Sequence, residues 1–364
     1  MKYEILKKTK ISATYQDKYK NYNAWPTVIA LEDGVLMATW SNRFFHVCPF
    51  GKVVRSFSYD GGYTWTEQEV VLDTPLDDRD GGLCQHQGKV FLTSFTNSRK
   101  MQRNYVNVEG YKYYPQEDID KINSKIESIT DQDEKSYMGA LYAISNDNGK
   151  TFSKPSLMKI TAPHGPFVMP DGRLALIGVE YADRFEKPSF EPLKKGVYIS
   201  IFDNDNFSEP TFIEKLDIGE EFVVCEPHSV TALDGRIITV LRVDDYKEAT
   251  MYINYSFDNG KTFTKFKPTG FRGAPGHLLR LKDGSILLTY SRRSTDNGQI
   301  ARISYDNGET WSEEMMLNSA TEWDQGYAST CETESGELVT VFYQHGEDDK
   351  ISNSIFSVVW KIEK

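Results

Sequence analysis

The stretch "ISYDNGETWSE" (residues 303–313) decides the fold, because the chain spells it three more times with small changes. The other copies are "FSYDGGYTWTE" (57–67), "ISNDNGKTFSK" (144–154) and "YSFDNGKTFTK" (255–265). A tight turn between strands can be written in many ways, so four copies of S-x-D-x-G-x-T-[W/F] report a repeated structural unit. In each copy the aspartate (Asp60, Asp147, Asp258, Asp306) can accept backbone N–H bonds within its own turn. The glycine two residues on allows a backbone conformation that other residues resist. The closing aromatic then folds back as an apolar plug. Around Asp203, "SIFDNDNFSEP" reads as a degraded fifth copy.

A second repeated pattern interleaves with the first. "VIALEDGVLMATW" (28–40), "CQHQGKVFLTSF" (84–95), "FVMPDGRLALIGV" (167–179), "VTALDGRIITVLR" (230–242), "LLRLKDGSILLTY" (278–290) and "CETESGELVTVFY" (331–343) each read as strand, tight turn, strand. Each unit is therefore a four-strand sheet: an inner hairpin A–B, a strand C, the aspartate turn, and an outer strand D. Six such sheets arranged radially make a six-bladed β-propeller, a single all-β domain over residues 1–364 whose strand edges are short and protected. The sixth unit lacks the aspartate turn, and "YEILKKTKIS" (3–12) is predicted to supply its outer strand. Residues 97–137 interrupt blade 2 between strands B and C. There Ile119, Ile122, Ile126 and Ile129 recur at helical spacing, which predicts a helix forming a lid or rim.

Composition narrows the function. The 364 residues include 21 Tyr, 20 Phe and 6 Trp, enough to fill a large core, and a net charge of −11 argues against a nucleic-acid surface. No apolar run is long enough for a membrane span, and the first twenty residues lack the apolar core of a signal peptide. Cys48, Cys84, Cys225 and Cys331 are scattered, so free thiols and a cytoplasmic location are expected. No metal or cofactor motif is present.

In a propeller only the A strands approach the axis, so residues just before each A strand converge into one funnel suited to a small molecule. That rule selects Trp25, with His46 after the following B strand, and Asp78, Arg79 and Asp80 in "DDRDGG". It also selects His164, Glu226 and His228 with Arg242, His277 with Arg292 or Arg293, and Asp324 with Tyr327. The four histidines sit in different blades without metal-ligand spacing.

With the motifs at 58–65, 145–152, 256–263 and 304–311, the chain resembles the sialidase superfamily, whose Asp-box repeats have this spelling. The resemblance implies Tyr327 as nucleophile, Glu226 as the base that takes its proton, and Arg242 and Arg293 (or Arg292) as anion binders. A glutamate beside a phenol can remove its proton, and flanking arginines favour the phenolate. Two family features are missing. Ala24-Trp25-Pro26 stands where the family has an arginine of the carboxylate clamp, a role Arg79 can fill through its planar fork. The loop "SNRFFHVCPFGK" also lacks the family's acid/base aspartate, leaving His46, Asp78 or Asp80 for proton transfer. The expected activity is exo-acting hydrolysis of a terminal, acidic sugar from a glycan. Two other readings are a lyase using His164, His228 or His277 as base, and a glycan-binding propeller without catalysis.

Overall fold

In the computed structural model, which describes residues 2–106, 114–219, 221–244, 249–293, 296–346 and 349–363, the alternating apolar strands assemble into six antiparallel sheets. Blade 1 illustrates the plan, with strands Tyr22–Ala30, Leu36–Arg43, Lys52–Ser58 and Glu69–Leu72 ordered from axis to rim. Blades 2, 4 and 5 repeat it, starting with Asp77–His86, Val223–Thr231 and Gly276–Arg280. Each face of a blade packs against the next blade, which is why the middle strands are apolar on both sides. Between blades 6 and 1, for instance, Val28, Trp40 and Val54 pack with Val339, Tyr343 and Val359. Comparable clusters fill the other five junctions. Burying each such aliphatic side chain contributes roughly 1.5–3 kcal/mol.

The aspartate turns clasp neighbouring blades. In the first, Asp60 Oδ1 accepts from the Thr64 amide (2.9 Å) and the Ser58 hydroxyl (2.9 Å), while Ser58 Oγ accepts from the Gly62 amide (2.8 Å). Gly62 has φ +94°, and a Cβ there would lie 2.8 Å from Val339 of blade 6. The glycine thus serves both the turn and the close approach of two sheets. Trp65 plugs the same junction, and Trp311 does so between blades 4 and 5. Around Asp203 the clasp is absent. Asn204 and Asp205 adopt positive φ in a two-residue hairpin that pairs Asp203 with Asn206, as expected where glycine is missing and Asn and Asp tolerate the left-handed region.

Strand Tyr3–Lys10 lies antiparallel along Asp349–Ile362 as the outermost strand of blade 6, with Tyr3 opposite Ile362 and Lys10 opposite Phe356. The insertion in blade 2 forms three helices, Arg99–Tyr105, Gln116–Glu127 and Asp131–Tyr137. Ile122 and Ile126 pack with Phe44, Cys48 and Val106, and Ile119 lies partly buried against them. Ile129 joins the junction of blades 2 and 3. The insertion is therefore anchored to the loop after strand B of blade 1, which places Tyr105 at the mouth of the funnel.

Candidate functional site

The same irregularity opens the inner strand of four blades. Register slips between Ala24 and Thr27, Arg79 and Gly82, Cys225 and His228, and Gly326 and Ser329. Each slip contains one residue with positive φ: Trp25 (56°), Asp80 (58°), Glu226 (55°) and Tyr327 (56°). Such a conformation costs a non-glycine residue about 1–3 kcal/mol, and bulges of this kind re-aim a side chain. Here all four side chains turn into one cavity of about 530 Å³, lined from all six blades. That volume lies in the range of small-molecule sites.

Chain-distant groups meet at the cavity floor. The Tyr327 hydroxyl donates to Glu226 Oε1. Arg242 Nη1 donates to the same carboxylate (3.2 and 3.3 Å), and its Nη2 donates to Asp244. Arg293 Nε donates to the Gln325 carbonyl (2.7 Å), its Nη2 donates to the Tyr343 hydroxyl (3.1 Å), and its guanidinium lies 5.9 Å from the Tyr327 ring centroid. The Arg79 guanidinium lies over two aromatic rings, 4.1 Å from the Trp25 centroid and 5.4 Å from that of Phe95. Its Nη1 donates to the His46 carbonyl.

Burial sets the protonation states. It raises the Tyr327 phenol well above 10, with Glu226 and Asp80 adding to the effect and Arg242 and Arg293 opposing it. The resting phenol therefore keeps its proton and shares it with Glu226. Burial also lifts Asp80 to about 7, against the pull of Arg79 and with help from Glu226. Asp80 is thus divided between acid and carboxylate at neutral pH. His46 is driven well below 6.5 by burial and then by Arg79, Arg43 and Arg293, so its imidazole is neutral.

Of the residues selected from sequence, the structure brings Trp25, His46, Arg79, Asp80, Glu226, Arg242, Arg293 and Tyr327 to the cavity. Arg292 points away, pairing with Glu314 (2.6 Å) and the Asp296 carbonyl (2.9 Å). Asp78 is a correction. It lies outside the cavity wall, fully buried, and accepts from the Thr74 amide (2.6 Å) and hydroxyl (2.9 Å). Strand alternation turns it away from the funnel, and burial raises its carboxyl to about 8.

His164, His228 and His277 are also corrections, because none lines the cavity. His228 falls two residues beyond the turned-in Glu226, and the three rings pack against one another, with centroids 4.5 to 5.6 Å apart. His228 Nδ1 accepts from the Leu278 amide (2.9 Å) and His277 Nδ1 from the Thr330 amide (3.4 Å), stitching each blade to the next. Burial keeps all three neutral, His228 falling to about 3. Among the described residues no group of three or more His, Cys, Asp or Glu is arranged to hold a metal ion.

The aromatic wall escaped sequence reasoning: Tyr22, Phe45, Phe95, Tyr105, Trp323 and Tyr343. Phe95 and Tyr343 signal themselves only by position near the ends of B strands, Phe45 and Trp323 by standing beside selected residues, Tyr22 opens the A strand of blade 1, and Tyr105 ends a helix of the insertion. A second cavity of about 340 Å³ between blades 3 and 4 shares Val179 with the first, but carries no arginine, tyrosine or histidine.

No curated protein matches the chain. Among solved structures, a protein of unknown function from Dyadobacter fermentans aligns with a TM-score of 0.74 at 19% identity, over 99% of both chains. The NanB sialidase of Streptococcus pneumoniae aligns at 0.67 and 13% identity, over 97% of this chain and 70% of that one. The GH93 α-L-arabinofuranosidase of Fusarium graminearum, solved with arabinobiose, aligns at 0.64 and 15% identity, over 98% and 97%. At these identities the likeness establishes the shared six-bladed fold. The model of the BNR repeat-like domain matches residues 123–340, which hold three of the four aspartate turns and the Tyr327–Glu226–Arg242 cluster. With more than half of its length matched, this chain belongs to the BNR repeat-like domain family.

Proposed function

We propose that this protein is an exo-acting glycoside hydrolase that removes a terminal, acidic sugar through a covalent intermediate on Tyr327. The observation that carries the reading is the hydrogen bond from the Tyr327 phenol to Glu226, with Arg242 and Arg293 beside it in the cavity. The phenol oxygen attacks the anomeric carbon as its proton passes to Glu226, and the bond to the leaving oxygen breaks as Asp80 donates its proton there. Water then attacks the same carbon and gives a proton to the Asp80 carboxylate. The carbon–phenol bond breaks, and Glu226 returns the proton to the phenolate. A neutral nucleophile suits a sugar whose own carboxylate adjoins the reacting carbon, because a second carboxylate would repel it. Arg79 and Arg293 supply the positive charge for that carboxylate. The fold neighbours support the class: one is a sialidase, and another is an arabinofuranosidase solved with arabinobiose.

The test is a panel of 4-methylumbelliferyl glycosides and acidic glycans, assayed with wild type and Tyr327→Phe. The expected result is sugar release that falls by about 10³-fold or more in the variant, equivalent to about 4 kcal/mol of transition-state stabilisation, with binding retained. Ultraviolet absorbance from an unsaturated product would mark a lyase instead. Binding without release from any substrate would mark a glycan-binding module.

A further inference from the structure

Three donors converge on Asp324 in the cavity wall. The hydroxyls of Tyr22 (2.8 Å) and Tyr343 (3.0 Å) and the side-chain amide of Asn353 (2.8 Å) all donate to its carboxylate. A phenol has one proton to give. Tyr343 directs its proton to Asp324, so its oxygen is left to accept from Arg293 Nη2 at 3.1 Å. Tyr22 also directs its proton to Asp324, so its oxygen must be the acceptor towards its other partner, His46 Nδ1, at 3.3 Å. Nδ1 therefore carries a hydrogen. A neutral imidazole has only one N–H, so Nε2 is a bare lone pair. Among the described residues Nε2 has no hydrogen-bond partner, and His46 lines the cavity edge-on to Trp25 (5.2 Å) and stacked on Tyr105 (6.3 Å).

We propose that Asp324 is a positioning residue: through Tyr22 it locks His46 in the Nδ1–H tautomer, so that Nε2 accepts a hydrogen bond from a hydroxyl of the bound sugar. The contact with sugar rests on the glycosidase reading, whereas the tautomer does not. Asp324 sets the polarity of the wall because a carboxylate only accepts. An amide in its place can donate to the Tyr22 oxygen, freeing the Tyr22 proton for His46 Nδ1 and turning Nε2 into a donor.

Nitrogen-15 NMR of histidine-labelled protein reads the tautomer directly, with the His46 signals identified by their loss in His46→Gln. Wild type is expected to show protonated Nδ1 and bare Nε2 at neutral pH. In Asp324→Asn, and separately in Tyr22→Phe, the proton is expected to move to Nε2. A wild-type Nε2–H form, or an unchanged His46 in both folded variants, overturns the lock. The sugar contact is tested with 4-methylumbelliferyl neuraminide and glucuronide and their singly O-methylated series. Methylation at one position should raise KM about tenfold, a loss of about 1.4 kcal/mol, in wild type but not in Asp324→Asn. Equal sensitivity at every position in both proteins overturns the contact and leaves the tautomer to the spectra. If neither glycoside is cleaved, the hydrolase reading fails for these sugars while the spectra still decide the lock.

Discussion

Asp80→Asn removes a carboxyl that the fold keeps partly protonated at neutrality, and the consequence should be visible in both stability and turnover. Burial, the largest cause, lifts this group from 3.8 to about 7. Between those values the unfolded chain has released the proton while the folded chain holds it. The folded state then binds more protons, so stability falls as pH rises. The contribution is fully present below pH 3.8 and lost as pH climbs through about 7. At about 1.4 kcal/mol per pH unit, wild type should lose roughly 4 kcal/mol relative to the asparagine variant across this window. Urea unfolding of both proteins at half-unit steps from about pH 4 to pH 8 measures the difference. Turnover gives the second readout. Wild-type kcat should decline above about pH 7 as the acid ionises, whereas the variant should lose that limb. With a poor leaving group the variant should be about 10²–10⁴-fold slower, and with an acidic aryl leaving group much less so. A stability difference that stays constant with pH, together with equal losses for both leaving groups, would refute the reasoning.

Other outcomes follow from the same structure. Arg79→Ala should raise KM for acidic glycosides far more than for neutral ones, because it removes the charge that rests on Trp25; parallel kinetics on both substrate types check this. Gly82→Ala places a Cβ 2.7 Å from the Gly165 Cα, a backbone contact that cannot yield easily. It should lower stability by about 1–3 kcal/mol in urea unfolding. Hydrogen bonds from Ser145 and Thr151 hold the Asp147 carboxylate at about 2, so its stabilisation is present above 3.8 and lost as pH falls through about 2. Asp147→Ala should therefore destabilise the protein at neutral pH, with the difference from wild type vanishing in strong acid by circular dichroism.

The architecture was legible because it is written locally. An aspartate turn makes its hydrogen bonds within a few residues, so Asp60 and its counterparts announce themselves without knowledge of the fold. The funnel was legible for a related reason: once the blades are counted, "before strand A" is a geometric address. That address is accurate only to about two residues. A non-glycine positive φ at Trp25, Glu226 or Tyr327 has no sequence signature, so the reading could not separate Glu226, which turns into the cavity, from His228, which does not. Asp78 and Asp80 divide in the same way. The aromatic wall was invisible because Tyr105 reaches the site only through the packing of the insertion against blade 1. Asp324 was visible as a candidate, but its meaning depends on Tyr22, almost the whole chain away.

The pairing of Tyr3–Lys10 with Asp349–Ile362 has a consequence for how the molecule is made. During synthesis this strand waits for all the blades that follow it before its hydrogen-bonding partner exists, a topology that slows folding. A naked strand edge left that long invites pairing with another nascent chain. Lys7, Lys8 and Lys10 on this segment are the kind of charge that keeps such an edge from sticking. Replacing them with threonine would leave the finished ring intact while lowering the soluble yield.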